Sequence, residues 1–152
     1  MDRYYFAYGS NLNKAQMTTR CLDAVNVGPA ILKGYELEFR GVLTIIKRPG
    51  GIVKGGLWKI SQWDELALDR YEGFPGWYEK YLIPFGDDLM AMTYVLNRGM
   101  IAEPSPIYLE TCLQGCLDFG IDPSGLFKAT EAWITLALVQ CPNGVIVIIE
   151  RG

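Results

Sequence analysis

"YFAYGSNLNKAQMTTR", residues 5–20, changes character twice within one short stretch. Tyr5 to Tyr8 are bulky, aromatic and apolar, the composition of a strand. Gly9-Ser10-Asn11 is turn chemistry: one residue without a Cβ and two short hydrogen-bonding side chains. "NKAQMTTR" then has helix-forming composition, with Asn11 or Asn13 as candidate caps. The chain therefore opens as strand, tight turn and helix, with the turn only a few positions from the start.

Working outward, further strand-like runs lie at residues 31–39, 41–46, 51–60, 78–85 and 90–96. "RPGG" (48–51) reads as a hairpin turn between two of them, and "GDD" (86–88) as a second. "SQWDELALDRYEG" has the signs of a helix: Ser61 and Asp64 at capping-box spacing, Trp63, Leu66, Ala67 and Tyr71 able to share one face, and Gly73 as terminator. "PSPIYLETCLQGCLDFG" is a second helix, capped by Ser105, with Pro106 in its first turn and Gly120 at its end. "ATEAWITLALVQC" suits another helix, and "VIVIIERG" after "PNG" reads as an apolar strand. Many strands with scattered helices predict an α+β fold, a small mixed β-barrel with flanking short helices, as one domain over residues 1–152.

Composition removes several chemistries. The 152 residues include no histidine, so Ser-His-Asp and Cys-His pairs and imidazole acid–base work are absent. Carboxylates, Lys, Tyr, Ser, Cys and backbone dipoles remain. Cys21, Cys112, Cys116 and Cys141 match no zinc-knuckle or ribbon spacing; they read as buried thiols, with no metal and no cofactor expected. A net charge of −3 supplies no basic footprint for nucleic acid or an anionic membrane. Asp2 and Arg3 run straight into a strand, without the apolar region of a secretory leader, and "WITLALVQC" is too short to span a bilayer. A cytoplasmic protein acting on a small molecule is expected.

Three places can carry chemistry. The end of a strand at Gly9, feeding a helix start, leaves backbone N–H groups free to converge on an anion; the same tetrapeptide also suits a plain turn with an Asn cap. Glu72 stands in the last helical turn before Gly73. There the negative end of the helix dipole disfavours its carboxylate, and Tyr71, Phe74 and Trp77 are positioned to desolvate it. Both effects raise proton affinity, as a general base requires, although a solvated Glu is common at such a site. Tyr108, in the first turn after "EPSP", can point a hydroxyl into a neighbouring cleft or serve as a packed core residue.

"YFAYGSNLN", "RCLDAVNVGPAILKGYELEF", "LDRYEG" and "PSPIY" follow one another in an order that resembles γ-glutamylcyclotransferase-like proteins, over about residues 4–127. The YGSN loop and the LDxxEG glutamate are specific as a pair. The resemblance implies that Tyr8, Gly9, Ser10, Asn11 and Leu12 hold a γ-glutamyl group, and that Glu72 is the acid–base catalyst of a lactam-forming aminolysis. Residues 128–152 match nothing in that pattern. The leaving amine is open, as are the same chemistry on a specialised γ-glutamyl carrier and a catalytically silent binding module.

A cofactor-free reaction makes a direct prediction. Replacing the four cysteines with Ser or Ala, or adding a chelator, should leave 5-oxoproline release by the folded protein nearly unchanged. A large loss with circular dichroism intact would defeat it.

Overall fold

Phe6 and Ala7 are fully buried and Tyr5 nearly so, an unbroken run that suits a strand covered on both faces. In the computed structural model, which describes residues 2–139 with side chains through residue 134, that strand is β1 (Arg3–Ala7), the centre of a five-stranded sheet. The other strands are β2 (Val25–Arg40), β3 (Val42–Ile60), β4 (Glu79–Phe85) and β5 (Leu89–Val95), in spatial order β2-β3-β1-β5-β4. β1 runs antiparallel to β3, with Arg3 opposite Ile60 and Ala7 opposite Gly56, and parallel to β5, with Tyr5 opposite Met92. The helices are α1 (Lys14–Arg20), α2 (Gln62–Glu72), α3 (Pro106–Phe119) and α4 (Ser124–Val139).

The expected α+β fold is the one observed, with one refinement: the sheet is curled and open rather than a closed barrel. No ladder joins β2 to β4. Instead the far end of β3 folds back on the residue after β5, where the Thr44 hydroxyl donates to the Leu96 carbonyl (3.1 Å) and accepts from its N–H (2.9 Å). A side chain here does the work that a ladder does in a full barrel.

"GDD" turns between β4 and β5 as expected, with Phe85 opposite Leu89. "RPGG" does not turn. Lys33 pairs with Ile52 and Tyr35 with Lys47, so Gly34 alone faces residues 48–51 and β3 continues through a bulge. Pro49 has no N–H for a ladder, which suits an unpaired position. The reversal lies at Gly41, where Arg40 pairs with Val42 and φ is +79°. It is pinned by the Gly41 N–H on the Ala102 carbonyl and the Ala102 N–H on the Phe39 carbonyl.

The helix ends follow their caps. Asn13 accepts from the Gln16 N–H, Ser61 and Asp64 form the full capping box, and Ser105 accepts from the Tyr108 N–H. Gly73 and Gly120 close α2 and α3 in left-handed geometry. The buried face of α2 differs from the expected one. Trp63 is 67 % exposed and Leu66 48 %, whereas Leu68 and Asp64 are buried. Asp64 tolerates burial because its carboxylate accepts from the N–H groups of Ser61 (3.1 Å) and Asp23 (3.3 Å). Cys112 and Cys116 are buried on α3 as expected; Cys141 and the "VIVIIERG" strand lie outside the described residues.

α3 sets the height of the turn that follows β1. A Cβ on Gly115 would stand 2.6 Å from the Leu12 Cβ and 2.8 Å from the Asn13 backbone nitrogen. The helix therefore rests directly on the turn. Gly115→Ala should cost about 1–3 kcal/mol as overpacking, read as a lower urea midpoint, despite alanine's better helix propensity. An unchanged or raised midpoint would show that the contact yields freely.

Candidate active site

Past β1, residues Ser10–Leu12 form one 3-10 turn, closed by the Leu12 N–H on the Gly9 carbonyl and the Asn13 N–H on the Ser10 carbonyl, each 3.0 Å. Asn11 is 3 % exposed and fully engaged. Its carbonyl accepts from Trp58 Nε1 (3.0 Å), and its side-chain Oδ1 accepts from Arg20 (2.7 Å). Its Nδ2 donates to the Tyr5 hydroxyl (2.9 Å) and to Glu72 Oε1 (3.0 Å). Ser10 Oγ meets the Tyr71 hydroxyl at 3.2 Å. Among the described residues, no protein acceptor pairs with the N–H groups of Gly9, Ser10 and Asn11.

Gly9, Ser10 and Asn11 line a cavity of about 220 Å³ together with Glu72, Tyr5, Tyr8, Tyr71, Tyr78, Tyr94 and Tyr108. Six tyrosines from separate parts of the chain thus stand around one carboxylate. Tyr108 Oη accepts from the Leu43 N–H (3.0 Å), and its hydroxyl also bonds the Cys112 thiol four residues along α3. Tyr78 donates to the Leu43 carbonyl (2.9 Å), and Tyr8 donates to the Tyr94 carbonyl. A Cβ on Gly9 would approach the Tyr108 oxygen to 3.2 Å, so glycine lets this hydroxyl sit against the turn.

Burial pushes the Glu72 carboxyl from its ordinary 4.5 up to about 7; the Arg20 charge and the Asn11 hydrogen bond pull the other way. Of the three neighbours expected to desolvate it, Tyr71 lines the cavity with Glu72, whereas Phe74 and Trp77, 39 and 65 % exposed, do not. Burial raises the phenols of Tyr5, Tyr8, Tyr78, Tyr94 and Tyr108 as well, so the cavity wall is neutral where Glu72 titrates.

Of the residues singled out in the sequence, Tyr8, Gly9, Ser10, Asn11, Glu72 and Tyr108 come together at this cavity. Leu12 does not line it; it is buried beneath α3. The sequence reading missed Tyr5, Tyr78, Tyr94 and Arg20. For Arg20 one local signal existed: Gln16 stands four residues earlier on α1, and its Oε1 accepts from Arg20 at 2.6 Å. A larger groove of about 750 Å³ lies between the outer half of the β2–β3 hairpin and the start of α4. Of its charges, Arg48 pairs with Glu36 at 2.7 Å and Lys54 with Asp122 at 3.9 Å. Among the described residues, no group of His, Cys, Asp or Glu is arranged to hold a metal ion.

Residues 5–111 match the family model described as "Gamma-glutamyl cyclotransferase, AIG2-like". The chain is 28 % identical over 134 residues to the gamma-glutamylcyclotransferase of Bos taurus and 29 % identical over 134 residues to that of Homo sapiens. In both cases the match covers 77 % of this chain and 71 % of the relative. Among solved structures, an uncharacterized protein from Homo sapiens superposes with a TM-score of 0.76 at 25 % identity, covering 85 % of this chain and 86 % of the other.

The raised carboxyl has a consequence that needs no substrate. A carboxyl held at about 7 in the fold and 4.5 in the unfolded chain keeps its proton longer when folded. Stability from this group is therefore complete below pH 4.5 and lost as pH rises to about 7. The full excursion is up to about 3 kcal/mol. Urea unfolding at pH 4.5 and pH 8 should show the wild type losing stability relative to Glu72→Gln, which carries no such proton. Parallel curves for the two proteins would exclude the raised value.

Proposed function

From the premise that the chain belongs to the AIG2-like γ-glutamyl cyclotransferase family, we propose that Glu72 is its acid–base catalyst and that the Gly9–Asn11 turn binds the glutamyl group. The family's activity is an intramolecular aminolysis. The α-amine of a γ-glutamyl group attacks its own side-chain amide carbonyl, a new C–N bond closes the five-membered lactam, and the old C–N bond breaks. The products are 5-oxoproline and a free amine or amino acid. Electrons and protons balance without water, metal or redox partner.

The observation that carries the assignment is a carboxyl of proton affinity near 7 beside three unpaired N–H groups. An α-ammonium has a pKa of about 7.7–8.0 and cannot attack until deprotonated. Transfer to an ordinary carboxylate at 4.5 would cost about 4–5 kcal/mol; transfer to Glu72 at about 7 costs about 1 kcal/mol. Glu72 then returns the proton to the departing nitrogen. The N–H groups of Gly9, Ser10 and Asn11 serve the substrate carboxylate and the tetrahedral oxyanion, with the Tyr108 hydroxyl beside them. A cavity of about 220 Å³ is below the range of about 300–1,000 Å³ typical of drug-sized ligands, which suits the glutamyl moiety with the leaving group outside. No described helix is long and apolar enough to cross a membrane, and action on a small molecule in the cytoplasm belongs to this proposal.

Glu72→Gln keeps size and most hydrogen bonding but removes the base. 5-Oxoproline release from a panel of γ-glutamyl compounds should fall by about 10²–10⁴-fold, while calorimetric binding of a non-cyclising analogue persists. Tyr108→Phe should lose about 0.5–3 kcal/mol of transition-state stabilisation, one hydrogen bond to a charged or neutral acceptor. Turnover by Glu72→Gln within a few-fold of wild type would place the base elsewhere. No turnover of any panel compound by the wild type would favour the silent binding module.

A further inference from the structure

Arg20 has no place in the reaction just described, yet among the described residues its guanidinium is the one cation in the hydrogen-bond network that reaches Glu72. It stands at the last residue of α1, 3.6 Å above the centre of the Tyr71 ring, and donates to Gln16 Oε1 (2.6 Å) and Asn11 Oδ1 (2.7 Å). A carboxamide has one accepting end and one donating end. Because guanidinium only donates, it takes the oxygen end of Asn11, and the Nδ2 end must face Tyr5 and Glu72.

We propose that Arg20 is a positioning residue: by holding the Asn11 amide by its oxygen, it keeps an N–H on Glu72 Oε1 and so keeps that carboxyl available as a base. The inference deepens the role proposed for Glu72. A protonated Glu72 would be equally well served by the oxygen of a flipped Asn11. Without Arg20 nothing opposes that flip, and the protonated, inert form gains a partner. The charge acts in the same direction, since a nearby cation favours the carboxylate. The other groups that face Glu72 do not compete. Tyr5 and Tyr8 from the β1 end, Tyr78 ahead of β4, Tyr94 of β5 and Tyr108 of α3 are phenols raised by burial. On α2 itself Asp69 is bound by Lys80 (2.8 Å) and by the Tyr94 hydroxyl, and the Cys21 thiol after α1 is pushed up to about 12.

The test is the Glu72 carboxyl titration, read by ¹³C NMR with Glu72→Gln to assign the signal, beside the pH profile of 5-oxoproline release. Arg20→Met should raise the carboxyl midpoint by about 1 pH unit or more. At pH 7 that lowers the ionised fraction, and with it turnover, about fivefold, and the loss should be recovered toward pH 9. Arg20→Lys, which keeps the charge without the planar fork, should return the midpoint most of the way. Gln16→Ala, remote from the cavity, frees the guanidinium on one side and should shift the midpoint upward by less. It also carries the test if Arg20→Met does not fold. An unmoved carboxyl midpoint in folded Arg20→Met, or in Gln16→Ala if Arg20→Met does not fold, overturns the proposal, as does an equal loss of rate at every pH. A shifted carboxyl midpoint with a wild-type rate profile would uphold Arg20 and reject Glu72 as the base.

Discussion

Asn11 is the residue on which the site hangs. It is buried, and an unsatisfied buried amide costs about 1–3 kcal/mol, so each of its polar side-chain atoms must find a partner. It finds them on three separate pieces of the chain, Tyr5 on β1, Arg20 on α1 and Glu72 on α2, while its backbone carbonyl accepts from Trp58 on β3. One residue therefore ties the first strand, the first helix, the central hairpin and the end of α2 to a common point. The requirement that buried amides be satisfied gives the cavity its geometry.

The same economy explains the turn. The Ser10 and Asn11 side chains and the carbonyls of Gly9, Ser10 and Asn11 bond within the fold, while among the described residues the three N–H groups meet no protein acceptor. α3 presses on it from outside through Gly115, and Trp58 holds it from within. A turn fixed on both sides presents donors that need not reorganise when charge develops, which is the condition for strong electrostatic stabilisation.

Much of this was legible in the sequence, and the failures have a common cause. The strand-turn-helix opening, the capping box at Ser61 and Asp64 and the glycine stops at Gly73 and Gly120 depend on residues within four positions of one another, and all were read correctly. "RPGG" has the chemistry of a turn, but whether it reverses the chain depends on Gly34 across the sheet, and there it became a bulge. Of the neighbours near it in sequence that were expected to desolvate Glu72, Tyr71 lines the cavity with it, while Phe74 and Trp77 are exposed and do not. Tyr5 and Tyr94, which line it too, are brought there by strand order. Arg20 was missed because its contact with the site runs through the Asn11 amide.

A protein without histidine that must move a proton near neutral pH has to bring a carboxylate there, and burial alone is a poor instrument for it. Desolvation can raise a carboxyl by several units, and a base raised well above the working pH stays protonated and does nothing. An ordinary carboxylate errs in the other direction, ionised but too weak to accept a proton from an ammonium. The useful range between these limits is about two pH units wide. Two opposed effects act on Glu72: burial in a tyrosine-lined cavity, the larger of the two, pushes proton affinity up, and one cation with the amide it holds pulls it down. The opposition also explains why, among the described residues, Arg20 and Glu72 form no ion pair of their own. A direct guanidinium–carboxylate contact would favour the ionised form by more than the tyrosine wall could offset, whereas an interposed amide passes on a part of the charge and adds a donor whose direction is fixed.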